Sequence, residues 1–314
     1  MKCPVCSTET TGLGFTVREK MFGTLEEFRY FQCNHCEALF LSEKLKNPGK
    51  GYPDNYYSLS TKTKINGKLK RLLYKFILAL LSTNAGKKFF SDDLKSPQNH
   101  WIYEIAPGYN NKILEVGCGN GQKLIKLYNW GFKNLFGVDP YIAQDKKIGD
   151  IELTKCELVD YTEKDFDLII FNHSLEHIKD QLAALQIAGK LLKHEGDILI
   201  RTPVINRSFY IYKDNWVEID APRHVIIHSI KSLELLLREA NLMIYKTIFD
   251  TDEFEFWGSE QFCMNIPTMS SNSYSIAPTK SIFSKKQMKH FRFLSMDYNK
   301  RGIAGRACFF LHKM

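Results

Sequence analysis

Near the start of this 314-residue chain, four cysteines stand in two close pairs, Cys3 with Cys6 and Cys33 with Cys36. Two residues separate the members of each pair, so each pair can form a knuckle, and four thiolates can surround a zinc ion tetrahedrally. The apolar run between the pairs (Phe15, Val17, Phe28, Tyr30, Phe31) reads as the hairpin of a zinc ribbon. No βαβ pattern surrounds either pair, which disfavours a redox dithiol. So small a unit has little core of its own, so zinc is expected to supply most of its folding free energy. Cys118, Cys156, Cys263 and Cys308 are scattered singly among apolar neighbours, as suits small buried side chains.

A second group of residues points to a ligand. In Ile113-Leu-Glu-Val-Gly-Cys-Gly-Asn-Gly121, glycines at 117, 119 and 121 flank Cys118 where a strand turns into a helix. Without Cβ atoms the backbone can touch a ligand, and the helix start presents unpaired N–H groups. A dinucleotide fingerprint needs Gly-x-Gly-x-x-Gly, but position 122 is Gln. The tighter Gly-x-Gly-x-Gly preceded by Glu115 fits a ligand with an amino-acid end and no pyrophosphate. Asp139 ends the next strand, where a carboxylate accepts hydrogen bonds from both hydroxyls of an unphosphorylated ribose. The alternative for Asp139 is a cap on a following helix. Pro140 stiffens the turn, and Tyr141 is placed to lie near an adenine.

The elements that would position these groups alternate regularly from Lys112 onward. KILEVG is a buried strand, GQKLIKLYNWG a helix, and NLFGVD a second strand. Residues 151–159 supply a third strand and DFDLIIFN a fourth. A helix over Gln181–Lys193 leads through His194-Glu195-Gly196 into DILIRTP. The helix Ser232–Ala240, the strand LMIYKTIF and a last strand in RACFFLHKM follow. Alternating βα units imply an α/β fold with a mostly parallel sheet covered on both faces. The expected domains are a zinc ribbon over 1–45, a linker and helical cap over 46–100, and an α/β domain over 101–314 with an insertion at 250–303.

Together, ILEVGCGNG, GVDP, FDLIIFNHSLEHI, LLKHEGDILIRTP and DAPRHVIIHS resemble a class I SAM-dependent methyltransferase of the group that carries a zinc ribbon and often acts on sugars and other small metabolites. The resemblance covers nearly the whole chain. It implies a Rossmann-like seven-stranded sheet with an antiparallel final strand, and an enzyme using S-adenosylmethionine; eight cysteines without a signal separately lead us to expect reduced thiols in a cytoplasm. Glu115, Gly117, Gly119, Gly121 and Asp139 would line the cofactor site, with Asn172 and His173 facing the methionine end and methyl group. The chain departs from the group in having His194-Glu195-Gly196 before the fifth strand and no obvious acid after the third, where Cys156 and Glu157 stand.

The methyl donor is reactive by itself, so the protein mainly aligns an acceptor and excludes water. A hydroxyl acceptor gains from a general base. Among His173, His177, His224 and His228, the choice is His224 in Ala-Pro-Arg-His, with His177 as the other candidate. Arg223 is expected to hold an acidic substrate group, with Tyr56 and Tyr57 in the substrate site. NHSL stands where an Asn/Asp-Pro-Pro-Tyr/Phe run would mark base N-methylation, which favours O-methylation of a sugar or sugar conjugate. The rivals are an RNA methyltransferase whose ribbon and basic segments grip phosphates, and a non-catalytic SAM-binding protein. Gln122 and the absence of a Tyr-x-x-x-Lys pair oppose an NAD-linked sugar enzyme.

The formal charge of +8 is unevenly spread. Residues 62–88 carry eight cations and no acid, and KSIFSKKQMKHFRF is a second basic and aromatic run. Such fields attract phosphates. The helix from Gly67 is expected to pack on the sheet or close over the ligand; the alternative is an interfacial helix resting on anionic lipid at the inner face of a membrane. No run of about 18 uncharged apolar residues is present to span a bilayer, and the first residues do not read as a secretory signal.

Overall fold

The computed structural model describes residues 1–11, 14–42, 64–81, 101–105 and 107–314. The N-terminal segment forms three antiparallel strands, β1 (Gly14–Arg18), β2 (Glu27–Gln32) and β3 (Leu39–Leu41). Helices α1 (Lys68–Leu81) and α2 (Trp101–Ile105) precede the main sheet. Strand β4 (Ile113–Val116) is buried at all four residues, as expected of a strand covered on both faces. It leads through the glycine turn into α3 (Gln122–Asn129), followed by β5 (Leu135–Val138), β6 (Lys146–Ile148), β7 (Ile151–Thr154) and β8 (Phe166–Asn172).

Helix α4 (Gln181–Leu191) starts where the Asp180 carboxylate accepts from the Ala183 N–H at 3.0 Å. Strand β9 (Leu192–Pro203), helix α5 (Arg207–Tyr212) and strand β10 (Ile226–Ile227) follow. Helix α6 (Ile230–Glu239) is capped by Ser229, and β11 (Leu242–Phe249) returns to the sheet. Helices α7 (Phe254–Cys263) and α8 (Lys285–Arg301) precede the last strand, β12 (Arg306–Lys313).

The main sheet runs β11-β12-β9-β8-β4-β5-β7-β6. Its strands β7, β5, β4, β8 and β9 are parallel, while β12 inserts antiparallel between β9 and β11. This is the Rossmann-like sheet expected, with one addition to its seven strands. β6 is a short edge strand paired antiparallel with β7 across a turn at Gly149, whose φ is +60°. Three mostly exposed residues give no periodic sequence signal, so this eighth strand is invisible to pattern alone.

Two further boundaries differ from expectation. Helix α4 ends at Leu191, because Leu192 is already extended, and His194-Glu195-Gly196 lie inside β9. A Cβ at Gly196 would sit 2.8 Å from the Leu192 side chain, so the chain passes too tightly there for another residue. The 250–303 segment, expected as an insertion without assigned elements, contains α7 and α8 with their own apolar cluster of Phe256, Trp257, Phe283, Met288 and Phe291.

The N-terminal strands are not a separate bead. β3 pairs antiparallel with β10, so the smaller sheet runs β1-β2-β3-β10 and takes its last strand from the α/β region. Cys3, Val5, Cys33, Cys36, Ala38 and Phe40 share one hydrophobic core with strands β8, β9 and β12. Burial against the main sheet therefore supplements the core that so short a segment lacks.

Candidate active site and cysteine cluster

The chain leaves β4 for β5 on one side and returns to β8 on the other. At such a switch point the loops after adjacent strands diverge and leave a crevice at the carboxyl ends. A cavity of about 1640 Å³ opens there, lined by Glu115, Gly117, Cys118, Asp139, Pro140, Tyr141, Asn172 and His173. Ligand pockets typically hold about 300–1,000 Å³, so this one has room for a nucleoside-sized molecule and a second ligand.

Gly117, Gly119 and Gly121 all have positive φ, at +72°, +50° and +74°. At Gly117 a Cβ would also sit 2.5 Å from that of Ser174, so the turn after β4 and the turn after β8 touch. Asp139 anchors the glycine turn: its Oδ2 accepts from the Gly119 N–H and its Oδ1 from the Tyr141 N–H, each at 2.8 Å. No helix follows for it to cap, and its carboxylate remains part of the cavity wall. Cys118 packs beneath the turn against Gly137.

Glu115 is buried, and its Oε2 has no hydrogen-bond partner among the described residues. Burial pushes its pKa up to about 7, against the pull of Lys123. An orphaned carboxylate oxygen at a cavity wall suits a ligand's ammonium group. Lys123, which reads in sequence as an ordinary helix residue, donates to Asn172 Oδ1 at 2.8 Å. Desolvation brings its pKa down to about 8. Its position two residues after Gly121 is the one signal that marks it. Glycine turn, Asp139 and orphaned Glu115 oxygen together fit a nucleoside carrying an amino-acid tail.

On the opposite wall, His173 Nδ1 lies 3.3 Å from Glu176 Oε1, and its Nε2 meets an Arg201 nitrogen at 2.6 Å. Burial and then Arg201 hold His173 well below the usual imidazole range. His177 Nδ1 bonds the Arg223 carbonyl at 2.9 Å, and His224 Nδ1 bonds that of Glu218 at 2.7 Å. The two rings meet edge to face with centroids 4.7 Å apart. Burial lowers both pKa values, that of His177 to about 3, so both rings are neutral at pH 7. Arg201 and Glu218 carry no sequence signal, because only the packed fold brings them to these histidines; Glu176 is local to His173 and His177, and only its approach to His224 is made by packing.

Arg223 differs from expectation. Its guanidinium is buried between Glu19 (3.0 Å) and Asp220, so its charge is already met within the chain. It clamps the N-terminal segment to the Asp220 turn instead of offering itself to an acidic substrate. His228 is also internal, bonded to Ser232 Oγ at 2.9 Å and Gln181 Oε1 at 2.6 Å. Tyr56 and Tyr57 lie outside the described residues.

The four N-terminal sulfurs converge. Cys3 Sγ and Cys36 Sγ are 3.6 Å apart, as are Cys6 Sγ and Cys33 Sγ, and all four lie within 4.8 Å of one another. Tetrahedral zinc with Zn–S of about 2.3 Å places sulfurs about 3.8 Å apart, so the cluster has the dimensions of a zinc site built from four thiolates.

A family model described as a methyltransferase domain matches residues 67–247, more than half of the chain. The chain belongs to this methyltransferase-domain family. Its match spans the glycine turn, Asp139, Asn172, His173, His177 and His224. This methyltransferase-domain protein is 32% identical over 139 residues to the mitochondrial ubiquinone biosynthesis O-methyltransferase of Homo sapiens, covering 40% of this chain and 36% of that protein. It is 28% identical over 118 residues to a tRNA U34 carboxymethyltransferase of Helicobacter pylori, covering 33% and 45%. The chain thus spans less than half the length of these relatives. A solved structure of geranyl diphosphate C-methyltransferase from Streptomyces coelicolor A3(2) aligns at 12% identity over 79% of this chain and 78% of that one, with a TM-score of 0.44.

Proposed function

We propose that this chain transfers the methyl group of S-adenosylmethionine to an oxygen of a small-molecule or glycan acceptor. The observation that carries the reading is the orphaned Glu115 oxygen beside a glycine turn anchored by Asp139, in a cavity large enough for two ligands. S-adenosylmethionine supplies an activated methyl group. Glu115 would take its ammonium, Asp139 its ribose hydroxyls, Pro140 and Tyr141 would border the adenine, and Asn172 and His173 the sulfonium end. His224 and His177 face the second part of the cavity and are the groups to manage the acceptor's hydroxyl proton. The four-cysteine cluster would hold a structural zinc ion.

An RNA acceptor is the second reading, favoured by the basic helix α8 with Phe293 exposed and by the tRNA-acting relative. The test is a labelled-methyl assay against cell extract fractionated into glycan, lipid and RNA. Label in the glycan or small-molecule fraction supports the first reading. Label in RNA, with affinity falling steeply as salt rises, replaces it with the second. Failure to bind S-adenosylmethionine or its demethylated product in calorimetry sinks both in favour of a non-catalytic binding protein.

The described part of the basic 62–88 segment adds a place of work. α1 packs on α3 through Arg71, whose guanidinium lies 4.1 Å from the Tyr128 ring centroid. Its other face leaves Leu69, Leu72, Leu73 and Phe76 exposed, a stripe at helical spacing among Lys68, Lys70 and Lys75. An apolar stripe between cations suits the surface of an anionic membrane, with the acceptor presented there. Among the described residues no helix is long and apolar enough to cross a membrane.

A further inference from the structure

Glu176, His177 and His224 bring one carboxylate oxygen and two imidazole nitrogens within 4.8 Å of one another beside the acceptor half of the cavity. We propose that these three residues bind a divalent first-row transition ion whose open positions face the acceptor.

Three features of the geometry support this. First, each imidazole has its Nδ1 against a backbone carbonyl, Arg223 for His177 and Glu218 for His224. A carbonyl only accepts, so Nδ1 carries the proton and Nε2 is the nitrogen with the lone pair. That is how protein structures fix the tautomer of a ligating histidine. Second, the carboxylate is held from behind: Thr202 donates its hydroxyl to Glu176 Oε2 at 3.0 Å, while Oε1, 3.3 Å from His173 Nδ1, also lies 3.9 Å from His224 Nε2. Third, the donor types match. Two imidazoles and one carboxylate suit zinc, iron(II), cobalt or nickel, and a three-ligand set keeps positions open for a substrate oxygen. Glu176 is fully buried, and its ion-pair partners among the described residues are histidines alone. A cation would compensate that buried carboxylate.

The purpose of the ion rests on the methyl-transfer reading. A coordinated hydroxyl loses its proton, here to bulk water through the open mouth of the cavity, far more readily than a free one. The two histidines would then act on the acceptor through the ion instead of taking the proton themselves.

Binding of the ion is measured without donor or acceptor, which separates the two ideas. Full-length protein with zinc already in its cysteine cluster is titrated with Co2+ and followed by optical absorption and EPR. The expected result is one further cobalt per chain, with d–d bands and no thiolate charge-transfer band. His177→Gln, His224→Gln and Glu176→Gln should each weaken it more than about tenfold. Calorimetric binding of S-adenosylhomocysteine by each variant shows that it has folded, and half-buried His177 is the substitution with the smallest risk to the core. No saturable cobalt signal in the wild type overturns the proposal, as do a spectrum with thiolate character or undiminished binding in folded His177→Gln and His224→Gln. Any of these results would leave His224 as a proton acceptor and the methyl-transfer reading intact. Cobalt binding without S-adenosylhomocysteine binding would leave the ion site standing and remove the methyltransferase reading.

Discussion

The Tyr30 hydroxyl, on β2 of the cysteine-bearing segment, donates to the backbone carbonyl of His224 at 2.8 Å, with Tyr30 fully buried. One hydrogen bond thus joins the N-terminal sheet to the wall of the active-site cavity. The Arg223–Glu19 pair one residue away makes a second connection.

Tyr30→Phe leaves that carbonyl buried without this donor, a loss of about 1–3 kcal/mol. Thermal unfolding should report the destabilisation. If Tyr30 also sets the position of His224, the turnover number should fall while affinity for S-adenosylhomocysteine is kept. Unchanged turnover would mean that the link is only mechanical support.

Cys3→Ser, or zinc removal by a chelator, should release metal and also weaken the cavity wall. Cys3, Cys33 and Cys36 belong to the core that contains β8 and β9, and β10 completes the N-terminal sheet. Hydrogen exchange should therefore quicken at residues 218–228 as well as in the first 42. Exchange confined to the N-terminal segment would show that the two parts are energetically separate.

Asp139→Ala removes both the anchor of the glycine turn and the proposed ribose acceptor. A charged hydrogen bond contributes about 1.5–3 kcal/mol, which corresponds to a loss of S-adenosylhomocysteine affinity of roughly 10- to 150-fold in calorimetry. Full affinity in a folded variant would take Asp139 out of the site.

His228 gives a pH dependence with a definite sign. Burial lowers its folded pKa from 6.5 to about 3. The unfolded chain therefore binds the proton first, and the stability from the neutral ring, complete above pH 6.5, is lost as pH falls toward 3. His228→Gln should cost stability at pH 7 yet decline less steeply on acidification. Parallel denaturation curves from pH 7 to pH 4 would contradict this.

Leu72→Ser together with Leu73→Ser should reduce sedimentation with vesicles containing anionic lipid and leave S-adenosylhomocysteine binding unchanged. Neutral vesicles should bind either protein weakly. Equal binding by wild type and variant would exclude the exposed stripe of α1 as the membrane contact.

Much of this molecule was legible in local patterns. Apolar spacing located β4, α3, β5, β8, α4, β9, α6, β11 and β12, because burial on a regular element imposes a pattern, whereas α5, β10, α7 and α8 were not read from it. The Cys-x-x-Cys pairs and the Gly117–Gly121 turn were legible because thiolate ligation and positive φ each demand a residue type at a fixed position. The short edge strand at Lys146–Ile148 was not, since three mostly exposed residues carry no period. What only the tertiary structure decided is which distant side chains meet. Arg223 looks available in sequence but is held by Asp220, three positions before it, and by Glu19, 204 positions away. Glu176, His177 and His224 converge because the turn after β8 packs against the Asp220–His224 loop. Such encounters depend on chain packing across the sheet edge, where sequence distance holds no information about contact.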